Sequence, residues 1–194
     1  MANNNSIEIS QLWSEGWYKF AHRLPSENFG PRPEKLLVDL IVIHSISLPP
    51  SQFGTNNVER FFTNTLNWQG HPYFKTIEGL RVSSHFFINR LGELKQFVSC
   101  NQRAWHAGES KYRGKDQCND NSIGIELEGT DTDEFEKNQY ETLQALTSSI
   151  LTHYPVNHIA GHEHVSPGRK TDPGIGFDWK HLRRSLGLAK RYFP

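Results

Sequence analysis

Residues 161–174, GHEHVSPGRKTDPG, combine His162, His164, Arg169, Lys170 and Asp172 with two Pro-Gly corners. Turns of this composition lie at the surface and aim several polar side chains at one point. The chemistry that suits them is metal-assisted hydrolysis. A hydrolytic zinc site takes three nitrogen or oxygen ligands from the protein and keeps a fourth position open. His162 and Asp172, ten positions apart across the turn, offer two such ligands, and His44, at the end of an apolar run, offers a third. His158, His162 and His164 form a second grouping that the sequence leaves open. Taken singly, each residue has an ordinary reading. His44 would be a satisfied strand-end histidine, Asp172 the turn residue before Pro173, and Arg169 with Lys170 a solvated basic corner.

Other hydrolytic devices drop out. HEHVS has no histidine four residues after His162, so the H-E-x-x-H metalloprotease helix is absent. There is no G-x-S-x-G elbow for a nucleophilic serine. Cys100 and Cys118, the two cysteines, carry no catalytic-thiol signature and read as reduced thiols.

Hydrophobic period locates the elements that must position these residues. LLVDLIVI (36–43) is a nearly continuous apolar run and reads as a buried strand ending at His44. NNVERFFTNTL (56–66) reads as a short helix with an Asn cap. Residues 84–89 and 94–98 read as strands of a hairpin. SIGIELE (122–128) alternates, with Ile123, Ile125 and Leu127 on one face and Glu126 with Glu128 on the other. Tyr140, Leu143, Leu146 and Ile150 recur at helical spacing over 137–152, predicting an amphipathic helix laid on a sheet. A strand at 156–160 and a final helix at 179–186 complete the pattern, while 1–35 reads as an irregular arm pinned to the body by Trp13, Trp17, Tyr18 and Phe20. The predicted fold is α/β of mixed type: one domain over 1–194 with a central mixed sheet flanked by helices.

The 194 residues are enough for a substantial core, and 12% aromatic content excludes a disordered chain. Lys and Arg number 21 and Asp and Glu 21, so the formal net charge is zero. That removes the basic surplus a nucleic acid or an anionic membrane surface needs, and neither is expected as a partner. No apolar stretch approaches the ~20 residues of a membrane span. MANNNSIEIS has neither the basic nor the apolar region of a secretory signal, which predicts a cytoplasmic protein.

Five blocks, LIVIHSISLPP, RVSSHFFINRLGELKQFV, RAWHAG, CNDNSIGIELEGTD and GHEHVSPGRKTDPG, occur in this order. Together they resemble the AmpD-type 1,6-anhydro-N-acetylmuramyl-L-alanine amidases, within the zinc amidase family related to peptidoglycan recognition proteins and phage T7 lysozyme. The resemblance spans about residues 20–187. It implies one zinc ion at the sheet's edge, held by His44, His162 and Asp172, with His164 left out. It implies Glu126 as the catalytic acidic residue, a choice between Glu126 and Glu128 that alternation alone leaves open, and Lys170 as the catalytic lysine. Ser45 stands where relatives commonly carry Asn, and Gln117 where a basic residue is common.

The implied reaction is hydrolysis of the amide between the lactyl group of 1,6-anhydro-N-acetylmuramic acid and L-alanine of the stem peptide. Its implied setting is cytoplasmic recycling of cell-wall fragments, which in some bacteria sets β-lactamase induction. Zinc suits this chemistry because it brings the pKa of water down to roughly 7, and a neighbouring carboxylate can carry the proton onward. Arg81 matches a position that holds a stem-peptide carboxylate, work suited to a guanidinium. Trp105 either contacts the sugar end of the substrate or fills the core, and Tyr73 lies in a segment, 67–83, that shapes or covers the cleft. His85 and His106 read as polar residues of the core. The long segment 45–83 is expected to move and open the cleft. The expected partner is a small muropeptide taken by a monomer. Two alternatives are a non-catalytic muropeptide-binding domain and a zinc amidase acting on intact murein.

Overall fold

In the computed structural model, which describes residues 12–194, side-chain alternation along two seven-residue strands decides the architecture. The central sheet contains β1 (His22–Arg23), β2 (Leu40–Ile46), β3 (Phe86–Ile88), β4 (Leu94–Gln96), β5 (Ser122–Glu128) and β6 (His158–Gly161), in the order β6-β2-β5-β3-β4-β1. β6, β2, β5 and β3 run parallel, and β4 turns antiparallel to β3 in the predicted hairpin. Ile41, Ile43, Ile123, Ile125 and Leu127 all leave one face and pack with Leu143, Leu146 and Ile150 of α3 (Lys137–His153) and Leu182 of α5 (Trp179–Leu186). That face is the main core. Its burial of branched apolar side chains is what holds the parallel strands in register.

The opposite face divides. Over β3 and β4 it carries a second apolar cluster, in which Phe87 and Phe97 meet Val58, Phe61 and Phe62 of α1 (Asn57–Phe62) and Phe74 of α2 (Pro72–Thr76). The segment 45–83 is therefore built around its own packed helices. Over β2 and β5 the same face carries polar groups, His44, Ser122, Glu126 and Glu128, all buried.

The strand at 36–43 is displaced from its predicted position. It begins at Leu40 and runs through His44, whereas Leu36 and Leu37 are exposed. Its neighbours explain the shift: Ser122 of β5 and His158 of β6 both pair with Leu40, so no partner strand reaches the two leucines. The predicted Asn56 cap is also replaced, since Asn56 makes no capping bond and Thr55 Oγ1 accepts the Asn57 N–H instead. α3 and α5 fall where helical period predicts them, the latter ending at Gly187 in the left-handed conformation.

The arm is less irregular than its sequence suggests. His22–Arg23 forms the sheet's outer strand, and Trp13–Ser14 pairs with Trp17–Tyr18 in a small ribbon. Trp13 and Tyr18 do the pinning, the first donating its indole N–H to Ser149 Oγ at 2.9 Å, while Phe20 is 58% exposed. Residues 1–11 of the predicted arm lie outside the described residues. Farther along, the Arg32 guanidinium donates to the carbonyls of Cys100, Asn119, Asp120 and Ser122, tying the arm to the loops beneath the site. Cys100 and Cys118 are free, buried thiols.

His85, at the entry to β3, bears out its reading as a core residue. Its Nδ1 accepts the Gly124 N–H at 3.0 Å and its Nε2–H donates to the Gln102 carbonyl at 3.0 Å. Burial, with Arg32 nearby, lowers its pKa from an ordinary 6.5 to about 3. Between those values the unfolded chain binds a proton that the folded chain refuses, so stability is lost as pH falls through that window. His85→Gln keeps a donor and an acceptor but cannot titrate. Urea unfolding at stepped pH should show its stability falling less steeply than wild type, by about 1.4 kcal/mol per pH unit.

Candidate metal centre and active-site cleft

The parallel register of β2 and β5 pairs His44 with Glu126, so their side chains leave the polar face side by side. On the other flank, β6 pairs Gly161 with Ile43, and α4 (His162–Val165) begins at the next residue. Both histidines and the glutamate thus emerge at the C-terminal ends of parallel strands, where α/β sheets place their ligands. The 166–174 loop returns Asp172 to the same point. The Glu163 N–H donates to the Asp172 carbonyl at 2.8 Å, and Thr171 Oγ1 donates to Asp131 Oδ2 at 2.7 Å. Gly174 completes the return with φ of +79°, in a place where a Cβ would sit 2.0 Å from the Asp131 carbonyl oxygen.

His44 Nδ1 and His162 Nδ1 are 3.0 Å apart, and Asp172 Oδ2 lies 3.1 Å from the first and 3.2 Å from the second. Among the described residues, these three form the group able to hold a metal ion. The donor set fits zinc. Ligand atoms at these separations approach the ~3.3 Å edge of a tetrahedron with arms of about 2.0 Å. His162 Nε2 lies 3.1 Å from the Ala107 carbonyl, which can only accept, so a proton sits on Nε2 and Nδ1 is the nitrogen turned inward. Burial, then the neighbouring His162, lowers the His44 pKa to about 4, and the ring is neutral at pH 7, as ligation requires.

The grouping of His158, His162 and His164 does not form. His164 Nδ1 accepts the Gly161 N–H at 3.0 Å and its ring packs against Trp179, while His158 stands at the far end of β6 beside Tyr112.

Glu126 Oε1 is 3.9 Å from His44 Nδ1, and the residue is buried. Burial raises its pKa well above the usual carboxylate range, the Asp172 charge adds to the rise, and Lys170 opposes it. Glu128, on the same strand face, is committed elsewhere: it accepts the backbone N–H groups of Gly54 at 2.6 Å and Arg90 at 3.0 Å. The environment thereby separates two glutamates that alternation alone leaves equivalent.

All of this opens into a cleft of about 520 Å³. His44, His162, Asp172, Glu126 and Lys170 line it together, with apolar surface from Leu48, Phe61, Ile77 and Val82 and polar surface from Ser47 and Thr130. Trp105 and Tyr73 both line the cleft, so Trp105 belongs to the cleft wall and is only half-buried. Arg81 is exposed and lies outside the lining, although Leu80 and Val82 on either side belong to it. His106, read from sequence as a core residue, instead lines the cleft, with Nδ1 2.9 Å from His44 Nε2. Its signal was present in the sequence: a glycine inside a strand, here Gly124, marks a close approach by another group.

The family model for N-acetylmuramoyl-L-alanine amidases matches residues 33–175. The 1,6-anhydro-N-acetylmuramyl-L-alanine amidase AmpD of Citrobacter freundii is 48% identical over 174 residues, covering 89% of this chain and 93% of its own. A crystal structure of a selenomethionine AmpD derivative superposes with a TM-score of 0.87 at 47% identity, covering 90% of this chain and 99% of the other. AmpDh3 of Pseudomonas aeruginosa, in complex with anhydromuramic pentapeptide, is 26% identical with a TM-score of 0.56, covering 79% of this chain and 60% of that one. No helix among the described residues is long and apolar enough to cross a membrane. Fold and sequence agree, and the chain belongs to the N-acetylmuramoyl-L-alanine amidase family, as an AmpD-type 1,6-anhydro-N-acetylmuramyl-L-alanine amidase.

Proposed function

We propose that this enzyme is a zinc-dependent amidase that holds one Zn²⁺ on His44, His162 and Asp172 and releases the stem peptide from anhydromuropeptides in cytoplasmic wall recycling, acting as a monomer. The observation that carries the reading is the convergence of two imidazole Nδ1 atoms and a carboxylate within 3.2 Å, beside a buried glutamate in an open cleft. The AmpDh3 complex with an anhydromuramic pentapeptide supports the substrate class. Retention of the whole donor set, with Glu126 and Lys170 on the same cleft, argues against a domain that only binds.

Held by His44, His162 and Asp172, zinc would supply Lewis acidity, enough to make water a nucleophile at neutral pH and to polarise a carbonyl. Glu126, its basicity raised by burial, accepts the proton of the attacking water at its carboxylate and delivers it to the departing alanine nitrogen. Water and amide are consumed, and a lactyl carboxylate and a free amine result. Lys170 sets its ammonium beside the oxygen that gains negative charge. Trp105 and Tyr73 line the cleft and offer aromatic surface to the muropeptide, while Arg81, outside the lining next to Leu80 and Val82, offers a guanidinium to a stem-peptide carboxylate.

Hydrolysis of an anhydromuramyl tripeptide tests the reading. Release of free peptide should stop with a chelator, return with zinc, and be absent in Asp172→Ala. Turnover unaffected by chelation would contradict the metal reading, and equal rates on intact murein would contradict the substrate class. Glu126→Gln should bind zinc as wild type does yet lower kcat by about 10²–10⁴-fold. Lys170→Met should lower kcat by about 10²–10³-fold with little change in KM.

A further inference from the structure

The two histidines of the metal group are each oriented from one dipeptide, His106-Ala107. His162 meets the Ala107 carbonyl, whereas His44 meets the side chain of His106. We infer that Ser122 and His106 form a polar relay that fixes the proton of His44 on Nε2 and so keeps Nδ1 free as a ligand. The inference rests on the reading of His44 as a zinc ligand and adds two positioning residues to it.

The relay starts from a group that can only accept. The Cys118 carbonyl oxygen lies 2.5 Å from Ser122 Oγ, so the hydroxyl proton is committed to it. Ser122 Oγ then meets His106 Nε2, at 3.1 Å, as an acceptor, and the His106 proton sits on Nε2. A neutral imidazole has one N–H, which leaves His106 Nδ1 as an acceptor 2.9 Å from His44 Nε2. His44 must donate there, and the lone pair of its Nδ1 faces His162 and Asp172. The competing arrangement puts the His44 proton on Nδ1, towards Asp172. It sets two lone pairs against each other at 2.9 Å, or passes the same conflict down to Ser122.

The surroundings are built for this ring. Gly124 sits between Ser122 and Glu126 on the polar face of β5, and a Cβ there would lie 2.6 Å from His106 Cγ. Glycine is the one residue that leaves the ring its slot. Asn119 Oδ1 accepts the backbone N–H groups of His106 at 3.1 Å and Ala107 at 2.8 Å, fixing both members of the dipeptide.

Long-range ¹⁵N–¹H correlation spectra of histidine-labelled, metal-free protein read the tautomers directly. The relay requires the Nε2–H form at both His44 and His106. Zinc affinity, measured by competition with a chromophoric chelator, supplies the second readout through two isosteric variants. Ser122→Val removes the hydroxyl and should bind zinc about 10- to 100-fold more weakly, the usual effect of losing an outer-shell partner. Ser122→Thr adds the same bulk but keeps the hydroxyl, and should stay near wild type. An Nδ1–H form of His44 in the wild type, or equal weakening in both variants, overturns the relay. Should neither variant fold, the wild-type spectrum decides. Failure of the wild type to bind zinc would instead overturn the ligand reading, and the spectrum, which needs no metal, judges the relay separately.

Discussion

Two imidazole nitrogens and a carboxylate oxygen held within 3.2 Å of one another are the constraint around which this molecule is arranged. Groups of this kind do not gather unaided, because each loses water and gains no hydrogen-bond donor. The scaffold enforces the meeting through parts that have other reasons to be rigid. The register of β2, β5 and β6 is set on the opposite face by Ile41, Ile43, Ile123, Ile125 and Ile159, each of them fully buried. A slip of one residue would exchange those side chains with the polar ones and abolish core and site together. A cation that binds only the folded chain returns stability to it by mass action, which links metal loading to the integrity of the fold.

The same polar face gives four buried groups four different tasks. His44 presents a nitrogen to the metal group, Ser122 holds His106, Glu126 faces the cleft, and Glu128 ties the backbone N–H groups of Gly54 and Arg90. Side chains two residues apart on one strand thus differ because of what the neighbouring loops bring to each. The cleft repeats that division on a larger scale. Apolar helices of the 45–83 segment supply part of its lining, and the ends of β2, β5 and β6, with the 166–174 loop, supply the polar and titratable groups. A substrate with a sugar, a lactyl amide and a charged peptide presents the same mixture of surfaces.

Much of this was legible in the residues. The amphipathic helix over 137–152 and the alternating strand at 122–128 follow from period alone, because in each the core takes every member of one face. His162 and Asp172 stood out through the turn that carries them. What periodicity missed depends on partners distant in sequence. Leu36 and Leu37 look like strand residues, yet no neighbouring strand extends that far. The sheet's outer strand, His22–Arg23, is too short and polar to announce itself. The separation of Glu126 from Glu128, and the contact of His106 with His44, arise from loops that the sequence does not bring together by spacing.

The most direct test of the account is anomalous diffraction from crystals grown with zinc, recorded on both sides of the zinc absorption edge. One peak lying between His44 Nδ1, His162 Nδ1 and the Asp172 carboxylate, with Glu126 beside it, is the predicted result. A zinc-replete crystal with no peak there, or with its peak on His158 and His164, would contradict it.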